Sequence, residues 1–232
     1  MKTWIGTLCL MFLAGCNETI EGNGHLVEEL RRVDDFRGIR VENGLDVQVE
    51  LGEPGLRLWL DENLLQYVES RIEGGDLVLS TEDDVNLEPS GGARIYVRAP
   101  VIEFVELEDG SDLEGEVGGD EESYVSLEAS GGSDLDVTVY AAGVGAEASG
   151  GSDIDLAGAA RELFIDASGG SAVDSALATE LLQVDASGGS DVSASASQSA
   201  TIDASGGSDV TVYGNPQERN VDTSGGSDVS FR

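Results

Sequence analysis

The sequence predicts an all-β fold: a parallel β-helix, or β-solenoid, with coils of about 19 residues and Gly-Gly corners. The first observation is a repeat. S-G-G-S-D begins at Ser130, Ser149, Ser187, Ser205 and Ser224, and S-G-G-S-A begins at Ser168, so successive steps are 19, 19, 19, 18 and 19 residues. The second is period-2 alternation on both sides of each glycine pair, the mark of half-buried strands. Three residues before the first Ser stand Leu127, Ala146, Ile165, Val184, Ile202 and Val221. Five and seven after it stand pairs such as Leu135/Val137, Ile154/Leu156 and Val210/Val212. The third is unit length. Nineteen residues are too few for a helix pair but suit two strands and two corners, and only stacking closes a core over such units. Right-handed winding is the expected hand for parallel crossovers.

The elements follow in chain order. Residues 1–15 read as a secretory leader, with one Lys, a short apolar run and small residues ending L-A-G-C16. That ending resembles the bacterial lipobox and marks Cys16 as the lipid attachment site. The mature chain would then be held on a membrane without crossing it. With Cys9 in the leader and Cys16 acylated, no pair remains for a disulfide. Residues 16–33 lack clear periodicity and read as a tether to a folded domain at 34–232. Residues 36–60 read as strands forming the first coils or a cap. Leu64, Leu65, Val68 and Ile72 have helical spacing ahead of Gly74-Gly75.

Clear repeats then occupy 85–232, including weaker corners at S90-G-G-A-R94 and E108-D-G-S-D112; E73-G-G-D76 reads as a further unit one residue short. The pattern stops in mid-strand at S-D-V-S-F-R232, which leads to an expectation of self-association through that end of the solenoid.

Charge narrows the partners. All 46 acidic residues and 11 of the 12 basic ones follow Cys16, so the mature formal charge is 11 − 46 = −35. Such a surface repels nucleic acid and anionic head groups, and no nucleic-acid partner is expected. The acids also form columns. Glu88, Glu106, Glu128, Glu147, Asp166, Asp185, Asp203 and Asp222 lie two before the first Ser of each unit. Asp112, Asp134, Asp153, Asp191, Asp209 and Asp228 lie four after it.

Three chemistries compete for the glycine corner. A nucleophilic Ser needs a base and an orienting group, but His25 is the only His and lies in the tether, and the serines recur in every unit. A glycosidase needs two carboxylates at a set separation, which carboxylates everywhere neither favour nor exclude. Calcium is the stronger rival: G-G-S-D-L-D-V resembles the nonapeptide G-G-x-G-x-D-x-U-x of calcium-binding β-rolls. Two departures weaken it, Asp in place of the third Gly and one motif per coil. The structural reading explains the recurrence directly. Paired Gly supply positive φ for a tight corner, and flanking Ser and Asp bond the turn's free backbone groups. No catalytic residue, metal site or cofactor is therefore assigned.

The order of several short blocks is similar to the bacterial putative auto-transporter adhesin, head GIN domain family. The blocks are F-R-G-I-R-V-E-N-G-L-D-V-Q-V from Phe36, D-E-N-L-L from Asp61, G-D-L-V-L from Gly75, Y-V-R-A-P from Tyr96 and Y-G-N-P from Tyr213. The resemblance implies a parallel β-helix in exported, often lipid-anchored envelope proteins, with no established activity. This copy is more acidic and uses G-G-S-D where that family often has G-S-G. The expected function is thus a non-enzymatic, lipid-anchored module of the cell envelope, at the outer membrane or cell surface. Its expected partners are the membrane through the anchor and a glycan or another surface protein. The alternatives are an acidic calcium-binding β-roll-like surface protein and, third, a polysaccharide-active enzyme.

Overall fold

Two stacks of parallel strands, one on each side of the glycine corners, run through the computed structural model, which describes residues 18–82, 84–119 and 122–232. Before the corner, Phe104–Leu107, Tyr124–Ala129, 143–148, 162–167, Leu181–Ala186, Ser199–Ala204 and Glu218–Thr223 pair in order. After it, Asp112–Gly118, 134–141, 153–160, Ala172–Ser175, Asp191–Ser195, Asp209–Tyr213 and Asp228–Phe231 do the same. The chain is a β-solenoid, as its repeat requires.

The inward rows meet between the sheets. Leu127, Leu135, Val137, Ile154, Ile165, Val184, Val192, Val210 and Val212 are all buried. The Ala immediately before five of the corners is buried too, at Ala129, Ala148, Ala167, Ala186 and Ala204, and Leu107 fills the same position one coil earlier. Val221 on the last rung is 41% exposed, because no further described coil covers it.

The first coils are not stacked in chain order. Gly38–Val41 lies between Asp76–Thr81 and Phe104–Leu107, and Asp46–Leu51 lies between Arg94–Ala99 and Asp112–Gly118. The first coil in sequence is therefore the second in space. After leaving it, the chain adds Gly55–Asp61 antiparallel to Arg94–Ala99, and Val68–Glu73 antiparallel to Asp76–Thr81. These close one end of the stack and replace the open parallel edge with an antiparallel cap.

Four expectations are corrected at this cap. The described part of the 16–33 tether is not free: Leu26–Arg31 pairs antiparallel with Gly55–Asp61, and Glu18–Glu21 pairs with Val85–Glu88. Cys16 and the leader lie outside the described residues. The helical spacing at 64–72 produces only a 3-10 turn, Leu65–Tyr67. V68-E-S-R-I-E73 also alternates with period 2, and a neighbouring strand to pair with outweighs a short helix that is marginal alone. Gly74 and Gly75, at φ 67° and 104°, make a hairpin turn there and not a solenoid corner. Finally, Val85–Glu88 sits in a separate two-stranded sheet, so Glu88 leaves the acidic column assigned to it.

Candidate functional site

The repeated corner is built by serine. In five of the six clear units the second Ser of S-G-G-S is buried, at Ser133, Ser152, Ser171, Ser190 and Ser208; Ser227, in the last, is half-buried. The Ser133 hydroxyl donates to the Ser130 carbonyl at 2.8 Å, closing its own turn. The N–H groups of Gly132 and Ser133 both donate to the Ser152 Oγ of the next coil, each at 3.1 Å. The pattern recurs where Ser190 donates to the Ser187 carbonyl and its N–H reaches Ser208 Oγ. It recurs again where Gly207 and Ser208 donate to Ser227 Oγ.

A column of hydroxyls thus ties turn to turn at Ser111–Ser133, Ser133–Ser152, Ser190–Ser208 and Ser208–Ser227, and these bonds occupy the serines. Gly150 and Gly151, at φ 67° and 81°, show why two glycines stand between the serines. A Cβ on Gly150 would also press to 3.2 Å of the Gly131 amide nitrogen in the neighbouring turn. The serines are joints. His25, the only His, lies elsewhere, exposed on the cap 3.1 Å from Glu62.

The outward rows carry the acids. In the sheet before the corner, Glu106, Glu128, Glu147, Asp166, Asp185, Asp203 and Asp222 are consecutive register partners, an unbroken ladder of carboxylates. Arg40 ends it, 3.4 Å from Glu106 and 3.1 Å from Asp76. The other sheet aligns Asp46, Asp112, Asp134 and Asp153 beside Glu114, Asp136, Asp155 and Asp174. Asp46, which the repeat alignment missed, heads this column, and Arg94 pairs with Glu114 at its margin.

Adjacent rungs lie roughly 4.8 Å apart, where like charges repel by about 0.9 kcal/mol per pair in a water-like dielectric. Partial burial raises the Asp112 carboxyl, helped by Asp46 and Asp134. It raises Glu128, helped by Glu147 and Glu106, and Asp155, helped by Asp174 and Asp136. Among the described residues, no group of three or more His, Cys, Asp or Glu is arranged to hold a metal ion.

A stability prediction follows from these directions. An acid whose folded pKa is raised costs stability at neutral pH, and the cost is relieved as pH falls through that raised value. Asp61 acts oppositely. Burial pushes its carboxyl up, but bonds from Ser90 N, Ser90 Oγ and Gly24 N outweigh this and the net direction is down. Its contribution is present above the ordinary carboxylate range and is lost as pH falls through its lowered value. The melting temperature should therefore rise on mild acidification from neutral and collapse only in stronger acid. Thermal melts across pH check this. At neutral pH, sodium and calcium at matched ionic strength should raise it equally, since screening has no ion preference.

The cap carries a feature that spacing in the sequence concealed. Leu30, Arg57, Tyr96 and Gln48 form one outward row across four strands, and the Arg57 guanidinium stacks 4.0 Å over the Tyr96 ring. With Arg98 and Glu50 they line a groove of about 490 Å³.

Comparison with known proteins fits this geometry. Crystal structures similar in fold include a putative adhesin from Bacteroides fragilis, with TM-score 0.83 and 14% identity, covering 92% of this chain and 100% of that one. A putative adhesin from Parabacteroides merdae gives TM-score 0.67 and 17% identity over 92% of this chain and 99% of that one. A protein from Parabacteroides distasonis described as a putative lipid binding protein gives 0.62 and 16%, over 93% and 100%. At these identities the likeness is one of fold alone. No curated protein matches the sequence. The family model described as "Putative auto-transporter adhesin, head GIN domain" matches residues 35–216. The stacked coils, the glycine corners and this match over most of the length lead to one assignment: the chain belongs to the auto-transporter adhesin, head GIN domain family.

Proposed function

We propose that the chain is a non-enzymatic surface module, exported and lipid-anchored through Cys16, that displays a rigid solenoid on the cell envelope for adhesion-type contacts. One observation supports it above others. The recurrent hydroxyls nearest to a nucleophile, the second serines of the corners, are buried from Ser133 to Ser208 and are spent on backbone bonds, as Ser133 and Ser152 show. What the molecule offers outward is two long, regular strand faces, which suit binding a repetitive partner such as a glycan or another surface protein. That step is analogy from architecture and family.

The experiment is lipid labelling combined with protease accessibility on intact cells. The reading expects incorporation of labelled palmitate that is abolished by Cys16→Ser, and loss of the wild-type protein to external protease. Unlabelled protein, or labelled protein fully shielded in intact cells, contradicts it.

A further inference from the structure

The cap groove is the place where this acidic chain turns basic. Its arginines are unevenly distributed: after Arg98, only Arg161, Arg219 and Arg232 remain. Arg57 and Arg98 lie on adjacent antiparallel strands, because Arg57 is the register partner of Tyr96 and Gly55 that of Arg98. Alternation places Arg57, Tyr96 and Arg98 on the same outward face, with the two guanidinium stems diagonal to one another. Stacking on Tyr96 holds the Arg57 guanidinium in place, and among the described residues no carboxylate pairs with it. Arg98 lies 3.4 Å from Glu50, a contact between two exposed side chains that is worth little and easily exchanged. Gly55, beside them, has no side chain, and a Cβ there would meet nothing nearer than the Glu53 carbonyl at 3.9 Å. The missing side chain makes the hollow.

We propose that this groove binds an acidic sugar unit, one carboxylate or sulfate group on a hydroxylated ring. The anion sits between Arg57 and Arg98, whose planar donor forks match it. Glu50 and Gln48 line the same groove and accept or exchange hydrogen bonds with hydroxyls, which a bare inorganic anion does not offer. The exposed Leu30, which lines the groove, gives an apolar flank for the ring's C–H face. The volume of about 490 Å³ accommodates a small saccharide. The acidic columns do not cancel the site. Glu114 stands two strands beyond Tyr96 through Gln48, roughly 10 Å away. That is about one Debye length at physiological salt, and Glu114 is itself paired with Arg94.

This assignment gives the adhesion reading a ligand class and rests on that reading only for its biological setting. Binding is measured on purified protein, so it stands or falls independently of anchoring and exposure. The test is titration calorimetry of the full chain in neutral detergent with tri-galacturonate, its uncharged methyl ester, sodium sulfate and soluble short-chain phosphatidylglycerol.

The expected result is saturable binding of tri-galacturonate at one site, at least tenfold tighter than the ester, sulfate or lipid. Arg57→Gln and Arg98→Gln should each weaken it at least tenfold with the melting temperature unchanged, while Arg161→Gln, elsewhere on the solenoid, leaves it intact. Absence of binding overturns the assignment, as does equal binding of the ester or indifference to both arginine substitutions. Preference for phosphatidylglycerol overturns it in favour of a lipid head-group site.

Discussion

Gly158→Ala is expected to unfold several coils, at a cost of about 4 kcal/mol or more. Gly158 lies inside the strand Asp153–Ala167, at φ 112°, where it passes against Val139 of the preceding coil. A Cβ there would overlap the Val139 carbonyl oxygen, with its carbon and nitrogen close behind. The clash is with backbone, so no rotamer relieves it, and the positive φ penalises any L side chain independently. Because coils touch mainly their neighbours, damage should spread along the stack from this point. Circular dichroism melts check it: a large drop in melting temperature is expected, against a negligible change for Gly145→Ala, where an added Cβ meets nothing within 4 Å.

The second large effect is expected at Asp61→Ala. Asp61 is fully buried, yet it is charged and satisfied by Gly24 N at 2.7 Å, Ser90 N at 2.9 Å and Ser90 Oγ at 2.8 Å. Its removal takes the shared acceptor from these partly buried donors and cuts the link between the first strands and the loop before Arg94. A loss of about 3–4 kcal/mol is expected from two charge-assisted backbone bonds and one hydroxyl bond. Unlike Gly158→Ala, the effect should be local. Hydrogen exchange should quicken at 18–31 and 88–92 while the coils beyond Tyr124 keep their protection. The variant should also lose the collapse in strong acid that Asp61 contributes to the wild type.

How much of this was legible beforehand depended on whether neighbours in sequence are also neighbours in space. From Glu108 onward each coil stacks on the next, so a one-dimensional alignment located the corners, the inward rows at Leu127/Leu135 and the acidic columns. The corner serine reads as structural because it recurs in every unit, and the bonds that close its turn at Ser133 and Ser190 give it that role. Before Glu108 the rule fails. The coil at 38–51 is inserted between 76–99 and 104–118, a stacking that no periodicity encodes.

For the same reason Glu88 was placed in a column it does not join, and Asp46 was left out of one it heads. The groove was hidden twice over. R57-L-W59 and Y96-V-R98 each show ordinary alternation, and only their antiparallel pairing brings Arg57 over Tyr96 and beside Arg98. The failed helix at 64–72 has a different cause: V68-E-S-R-I-E73 satisfies both periods, and the partner strand at Asp76–Thr81 decides between them.

Two features of the solenoid work against each other, and the corner resolves them. Stacking identical coils gives a continuous core but also stacks identical charges, so each added rung adds burial and repulsion together. The acids keep the long faces soluble and unattractive to stray strands. The hydroxyl column, neutral and buried, holds adjacent turns in register where the acidic faces push apart.

The most direct measurement of that claim is residue-resolved amide hydrogen exchange in Ser152→Ala compared with wild type. The Ser152 hydroxyl accepts from Gly132 and Ser133, which lie in the preceding coil. Protection at these two amides should fall selectively, with melting lowered by an amount matching about 1–3 kcal/mol for one buried and one partly buried donor left without an acceptor. Unchanged protection at Gly132 and Ser133, with any loss confined to the turn that carries the substitution, would contradict it.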